Sequence, residues 1–413
     1  MNKAWTEHDP ATLRDPPYAW VMVAVVFLLS GLAFGMASGL SVFIKPLSAE
    51  FGWGRGEAAS GYSMLAMSSA IAGVFWGFIA DRWGSRYFGI VGALCMPLAL
   101  YLLSTTGALW QFNASCFLFG ALGTAMVSSP LYANVGFWFR HRPGLAIGVM
   151  ASGGAVGQGI VPYLAALLIE ADGWRSAFTT LSIGYLIVLL PVALLVRESP
   201  SRQESRLAAS PFASTGMSDF EAITWISVAV IFCCNCMSVP IVHLVPMLTD
   251  RGLPADQAAS VLMTLMLCGA LVRVLGGRLC DSIGALPAYM FMSAGQTLFA
   301  FAFPHIEGSI SLYALAAVFG FTFSGVMSSI LVCTRMMVSA GFAARAMSIT
   351  SFFGWLGMGM GAFMGGVFFD WYENYTQAFA YASLMGVVNL LILSAFYTRV
   401  RNRRRFQRSF AAT

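Results

Sequence analysis

Stretches of about 20 apolar residues recur twelve times along this chain, at approximately 19–43, 60–80, 88–106, 111–138, 144–170, 177–197, 221–248, 259–278, 286–304, 310–337, 344–369 and 377–399. Each is long enough to cross ~30 Å of hydrocarbon as a helix. Inside a bilayer every backbone N–H and C=O must find its partner within the protein, which restricts such stretches to helices. Composition agrees, with 58% hydrophobic and only 10% charged residues where soluble domains carry about 25% charged. An all-α membrane protein with twelve transmembrane helices is expected. The first segment is too long for a secretory signal and lacks a small-residue cleavage site, so it is expected to stay in the mature chain.

The basic residues sort by membrane side. With the N-terminus inside, Lys3, Arg14, Arg82, Arg86, Arg140, Arg142, Arg197, Arg202, Arg206, Arg278, Arg335, Arg345 and the six arginines from Arg399 to Arg408 fall on the cytoplasmic face. Only Lys45, Arg55, Arg175 and Arg251 fall outside. That asymmetry predicts two cytoplasmic termini and an even number of crossings. The run RVRNRRRFQR reads as a topology anchor against anionic lipid rather than a nucleic-acid contact.

Features recur at an offset of 200 residues: Ala58, Ala59 and Ser60 as Ala258, Ala259 and Ser260; Gly77, Asp81 and Gly84 as Gly277, Asp281 and Gly284; Ala146 and Gly157 as Ala346 and Gly357. The segment ending in Phe178 matches one ending in Phe379. A duplicated six-helix unit inserts both copies the same way, giving a parallel pseudo-repeat with a path between the halves. The expected organisation is an N-terminal tail 1–18, a bundle 19–197, a linker 198–220, a second bundle 221–399 and a basic tail 400–413. The linker is polar, Ser-rich and carries two prolines (Pro200 and Pro211). Small-residue pairs such as Gly153 and Gly157, or Gly357 and Gly361, predict close helix packing.

One charge breaks the pattern. Arg273, in LCGALVRVLGGRLCDSIG, is the only formal charge well inside an apolar segment. A buried cation costs roughly 2.5 to 3.5 kcal/mol on insertion scales, and no Asp or Glu stands at its depth in the sequence. Its counter-ion is then expected from outside the protein, and a guanidinium binds a carboxylate through two parallel hydrogen bonds. The alternative is that Arg273, five residues from Arg278, extends toward the membrane surface.

Other polar groups in apolar segments are candidate partners for such an anion: Tyr132 and Asn134 by hydroxyl and amide, with Ser38 and Gln158 as weaker candidates. His243 is a candidate proton carrier because histidine titrates near neutrality, and Phe352 and Trp355 are candidate walls. For each, helix packing is the competing role. All eight cysteines lie in apolar segments and read as small apolar residues, with no disulfide, metal or cofactor site expected. No embedded nucleophile, base and orienting group form a set, so an enzyme is not expected.

The loop GFIADRWGSR at Gly77 to Arg86 resembles the signature of the major facilitator superfamily. That resemblance implies a cytoplasmic gate role for Gly77, Asp81, Arg82, Gly84 and Arg86, with Asp281 as the second-half counterpart; Ser282 stands where Arg82 does in the first half. DPPYAW at 15–20, FWFRHRPGLAIGVMASGGAVG at 137–157 and IVHLVPMLTDRGL at 241–253 are similar to motifs of the monocarboxylate transporter and oxalate–formate antiporter branch. The branch implies substrate-carboxylate binding at Arg273. Helix 11 has no embedded second cation, and Ser38 and Gly269 stand where animal members carry Lys and Asp. The resemblance implies transport of a small monocarboxylate such as lactate or pyruvate by alternating access; the usual proton carriers are missing, and a proton is expected as coupling ion because an anion entering alone is opposed by an inside-negative potential. An organic-anion exchanger and a non-transporting carboxylate sensor are the alternatives. The expected setting is a prokaryotic inner membrane, in contact with lipid, as a monomer.

Overall fold

The computed structural model describes residues 16–139, 143–199, 217–339 and 342–410, and within them the side chains of Asp81, Arg82 and Asp281 lie outside the described residues. The described chain is helical throughout. α1 is Pro17–Phe51, α2 Arg55–Trp83 and α3 Ser85–Ser104. α4 is a single rod made of Leu109–Leu118, a π-helical turn Phe119–Thr124 and Ala125–Trp138. The run Pro143–Leu194 breaks at Gly173, whose φ of 78° no continuing helix accepts, giving α5 (143–172) and α6 (174–194). The second half contributes α7 Asp219–Asp250, α8 Ala255–Ile283, α9 Ala285–Ala302, α10 Ser309–Met337, α11 Ala343–Tyr372 and α12 Thr376–Phe410.

Among the described residues ten runs are long and apolar enough to cross a membrane, one of them the broken Leu145–Leu194 run. α9 falls outside that set, carrying the polar Gln296 in a stretch of 18 residues. The set of rods is compatible with twelve crossings. Two expected boundaries shift. α1 runs on past 43 through Lys45, Pro46 and Glu50 until Gly52, at φ 69°, closes it in the left-handed conformation. α12 runs past 399 to Phe410.

The 200-residue repeat is built into the packing. A Cβ on Gly157 would overlap the carbonyl of Gly31, and one on Gly357 that of Ile231; Gly120 meets Leu65 O as Gly320 meets Leu265 O. Thus α1 lies against α5 as α7 lies against α11, with backbones close enough that only glycine fits. Ser60 Oγ bonds Glu57 O (2.6 Å) and Asn113 (2.8 Å), while Ser260 Oγ bonds Gln257 O (2.7 Å) and Tyr313 (2.5 Å). Gly84 and Gly284 turn α2 into α3 and α8 into α9 at φ 84° and 92°.

The halves meet along three seams: α2 on α11, α5 on α8, and α1 on α7. Of the seam helices, α1 and α7 are buried along most of their length, whereas faces of α3, α6, α9 and α12 carry exposed Leu, Val and Phe. Such an outer surface suits lipid.

Candidate functional site between the halves

α8 carries Arg273 into the seam with α5. Its Nη1 donates to the carbonyl of Ala151 at 2.9 Å, a hydrogen bond that links the two halves. The guanidinium carbon lies 6.0 Å from the centroid of Phe323 on α10, close enough for a cation–π attraction. Nε is buried and without a partner, and among the described residues no carboxylate pairs with this arginine. Rather than reaching past Arg278 to a surface, the side chain turns across the interface.

Gly154 makes this approach available. A Cβ there would lie 3.2 Å from the Phe34 ring and 3.5 Å from Arg273 Nη1, so glycine lets the α1 ring and the α8 cation share the space over α5. Phe34 in turn stacks on Trp355 of α11, with centroids 5.7 Å apart and planes within 5°. Tyr132 of α4 lies within electrostatic reach of the Arg273 charge. The structure therefore brings together Arg273, Tyr132 and Trp355 from the sequence reading and adds Phe34, Gly154 and Phe323. Phe34 had no sequence signal, being one of 33 phenylalanines.

Other candidates stand elsewhere. Asn134 spends its amide on the segment after α6, donating to Arg197 O at 2.8 Å and accepting from Ser199 N at 3.0 Å. Phe352 packs edge-on against Phe353 at 5.3 Å. Ser38 Oγ and Gln158 Oε1 are buried without a partner, four residues on from Phe34 and Gly154 along their helices. His243, fully buried, bonds Ala362 O through Nε2 at 2.7 Å and lies 5.5 Å from the Tyr375 ring. That geometry fits the neutral tautomer with the proton on Nε2, leaving Nδ1 buried and bare.

Beyond His243, the bundle ends bearing the 52–54 and 251–254 loops are tied across the interface. Asp370 of α11 accepts the first amides of α2, Arg55 N at 2.6 Å and Gly56 N at 2.8 Å, where the helix dipole favours an anion. Asp250 of α7 pairs with Lys45 at 2.7 Å and Arg55 at 3.3 Å. Gly54, Gly56 and Gly366 leave no room for side chains in this contact. Deeper in the α2–α11 seam, Ser63 Oγ donates to Gly359 O at 2.7 Å. These four charges looked like separate loop charges in the sequence, because 195 and 315 residues separate the partners.

At the opposite end, which carries the termini, the described hydrogen bonds and ion pairs stay within a half. Glu198, after α6, accepts from the amide and hydroxyl of Ser85 and from the Arg86 amide (3.0 Å) at the start of α3. Glu221 pairs with Arg399 at 2.6 Å and Arg403 at 3.0 Å. Gly77 faces open space and Arg86 is exposed. The described ties between the halves thus gather at one end, and the Arg273 cation joins them in the α5–α8 seam.

A family model of the Major Facilitator Superfamily matches residues 23–362 and 224–412. The chain belongs to that superfamily of membrane transporters. It is 31% identical over 196 residues to the riboflavin transporter RibJ of Trypanosoma brucei brucei, covering 46% of this chain and 36% of RibJ. It is also 26% identical over 275 residues to human monocarboxylate transporter 11, covering 66% of this chain and 58% of that protein. The chain thus spans about a third and somewhat under two thirds of these relatives' lengths. Among solved structures, a bacterial homologue of the human lysosomal transporter Spinster, inward-facing and occupied, superposes with a TM-score of 0.72 at 16% identity, over 94% of this chain and 98% of that one.

Proposed function

We propose that this transporter moves a small monocarboxylate by alternating access, together with a proton. The observation that carries the reading is Arg273: a cation at the crossing of the halves with its Nε bare and no described carboxylate beside it. A substrate carboxylate taking Nε and the second Nη would neutralise it through paired, charge-assisted bonds. The likeness to monocarboxylate transporter 11 supports this substrate class.

In this reading the end bearing the termini is cytoplasmic, so the tied end faces outward and the molecule is inward-facing. Tyr132 donates its hydroxyl to the bound anion. The signature loop, with Gly77, Asp81, Arg82, Gly84 and Arg86, and Asp281 across the repeat, closes the cytoplasmic side when the outer ties part. Neutralising Arg273 lowers the cost of enclosing it, so loading favours the occluded state and the empty charged site resists it. An anion entering against an inside-negative potential is opposed by about 2.3 kcal/mol per 100 mV, which a co-transported proton cancels. The bare Nδ1 of His243 is the residue we assign to that proton. The carrier works as a monomer in a prokaryotic inner membrane.

The test is uptake of labelled lactate, pyruvate, acetate, formate and oxalate into proteoliposomes with and without an inward proton gradient. Accumulation of a monocarboxylate that needs the gradient supports symport. Uptake that needs internal substrate instead makes the protein an exchanger, and binding without uptake makes it a sensor.

A further inference from the structure

We infer that the site around Arg273 selects monocarboxylates whose body is a planar aromatic ring, held against Phe34 and Trp355. The inference rests on the assignment of Arg273 as the carboxylate site and specifies what else the substrate carries. Among the described ring pairs, Phe34–Trp355 is the one that joins the two halves. It lies at the cation, since the missing Cβ of Gly154 separates the Phe34 ring from Arg273 Nη1. Both rings are half-buried, so π surface stays uncovered beside a cation that needs an anion.

An aryl body presents a flat face to two flat faces and an edge to Phe323.

The placement also couples recognition to transport. Phe34 and Trp355 move with opposite halves, so rearrangement of the interface parts the stack and bares the inner faces of both rings. A substrate ring entering there replaces one ring–ring contact with two, while its carboxylate holds α8 beside α5. An aryl acid then bridges the halves at two points, and a short aliphatic acid at one.

The experiment titrates the purified protein calorimetrically with phenylacetate, cyclohexylacetate and acetate, the second matching the first in charge and approximate bulk but not planar. Wild type is expected to bind phenylacetate about fivefold to tenfold more tightly than cyclohexylacetate, with acetate weaker than both. Trp355→Leu should bring the two ring acids within about twofold, and Trp355→Phe should keep the preference, since it restores an aromatic face. Equal binding of the two ring acids by wild type overturns the inference without any variant. If that binding still collapses in Arg273→Gln, the carboxylate reading stands while the aromatic one fails. Phenylacetate binding that survives Arg273→Gln overturns both.

Discussion

Gly73 on α2 and Arg273 on α8 occupy equivalent places in two halves that otherwise repeat each other in detail. Gly120 and Gly320 meet equivalent carbonyls, as do Gly157 and Gly357, and Ser60 and Ser260 make matching bonds. Against that shared frame the chemistry is unequal. Phe43, stacked on Phe178 at 3.9 Å, stands where the second half has buried His243. Arg55 stands opposite Ala255 in the repeat, and Glu170 opposite Asp370. The π-helical turn of α4 has no counterpart in α10. Repetition supplies the shared frame, and single substitutions on it supply the cation, the histidine and the tie.

The comparison breaks most sharply at Arg273. Arg273→Gln should lower uptake by roughly 30-fold or more, the scale of losing a buried charge-assisted pair, whereas Gly73→Ala should leave it within about twofold; labelled uptake into proteoliposomes reads both. Next come the paired glycines. Gly157→Val and Gly357→Val should each destabilise by about 1–3 kcal/mol through overpacking, read as a lowered unfolding temperature in detergent. A large effect at one and none at the other would show that the two α-helix crossings are not equivalent in energy.

The tie between the halves should have a smaller effect. Asp370→Ala with Asp250→Ala removes one anion from the α2 amides and another from Lys45 and Arg55. Because each partly exposed pair is worth about 0–1 kcal/mol, the expected change is a several-fold rise in thiol labelling of a cysteine placed at Val367. Different in kind is His243→Phe, which installs the first-half residue and removes the group assigned to the coupled proton. It is expected to preserve folding and substrate binding while flattening the pH dependence of uptake, checked by initial rates between pH 5 and 8.

The repeat, the helical class and the place of Arg273 were legible because each leaves a mark in local sequence: apolar length, glycine spacing, a charge out of place. Helix ends were less so. Hydropathy marks the apolar stretch of α1 and stops near 43, but backbone hydrogen bonding continues through polar Lys45 and Glu50 until Gly52 can turn left-handed. The Asp370 and Asp250 ties were invisible because their partners are far apart in sequence and each charge alone looks like an ordinary loop residue. Asn134 and Phe34 show the same limit from opposite sides. An amide on an apolar helix looked like a ligand group yet is bonded to the chain after α6. A phenylalanine without distinction in the sequence sits beside the cation because Gly154 leaves the space.

The most direct test of the central claim is gradient-driven uptake of the preferred monocarboxylate by wild type and Arg273→Lys side by side. Lysine keeps the charge but offers a point donor in place of a planar fork. A bidentate carboxylate site predicts that the Lys protein folds, reconstitutes and transports at a small fraction of the wild-type rate. Wild-type uptake by Arg273→Lys, or by Arg273→Gln, would contradict the account.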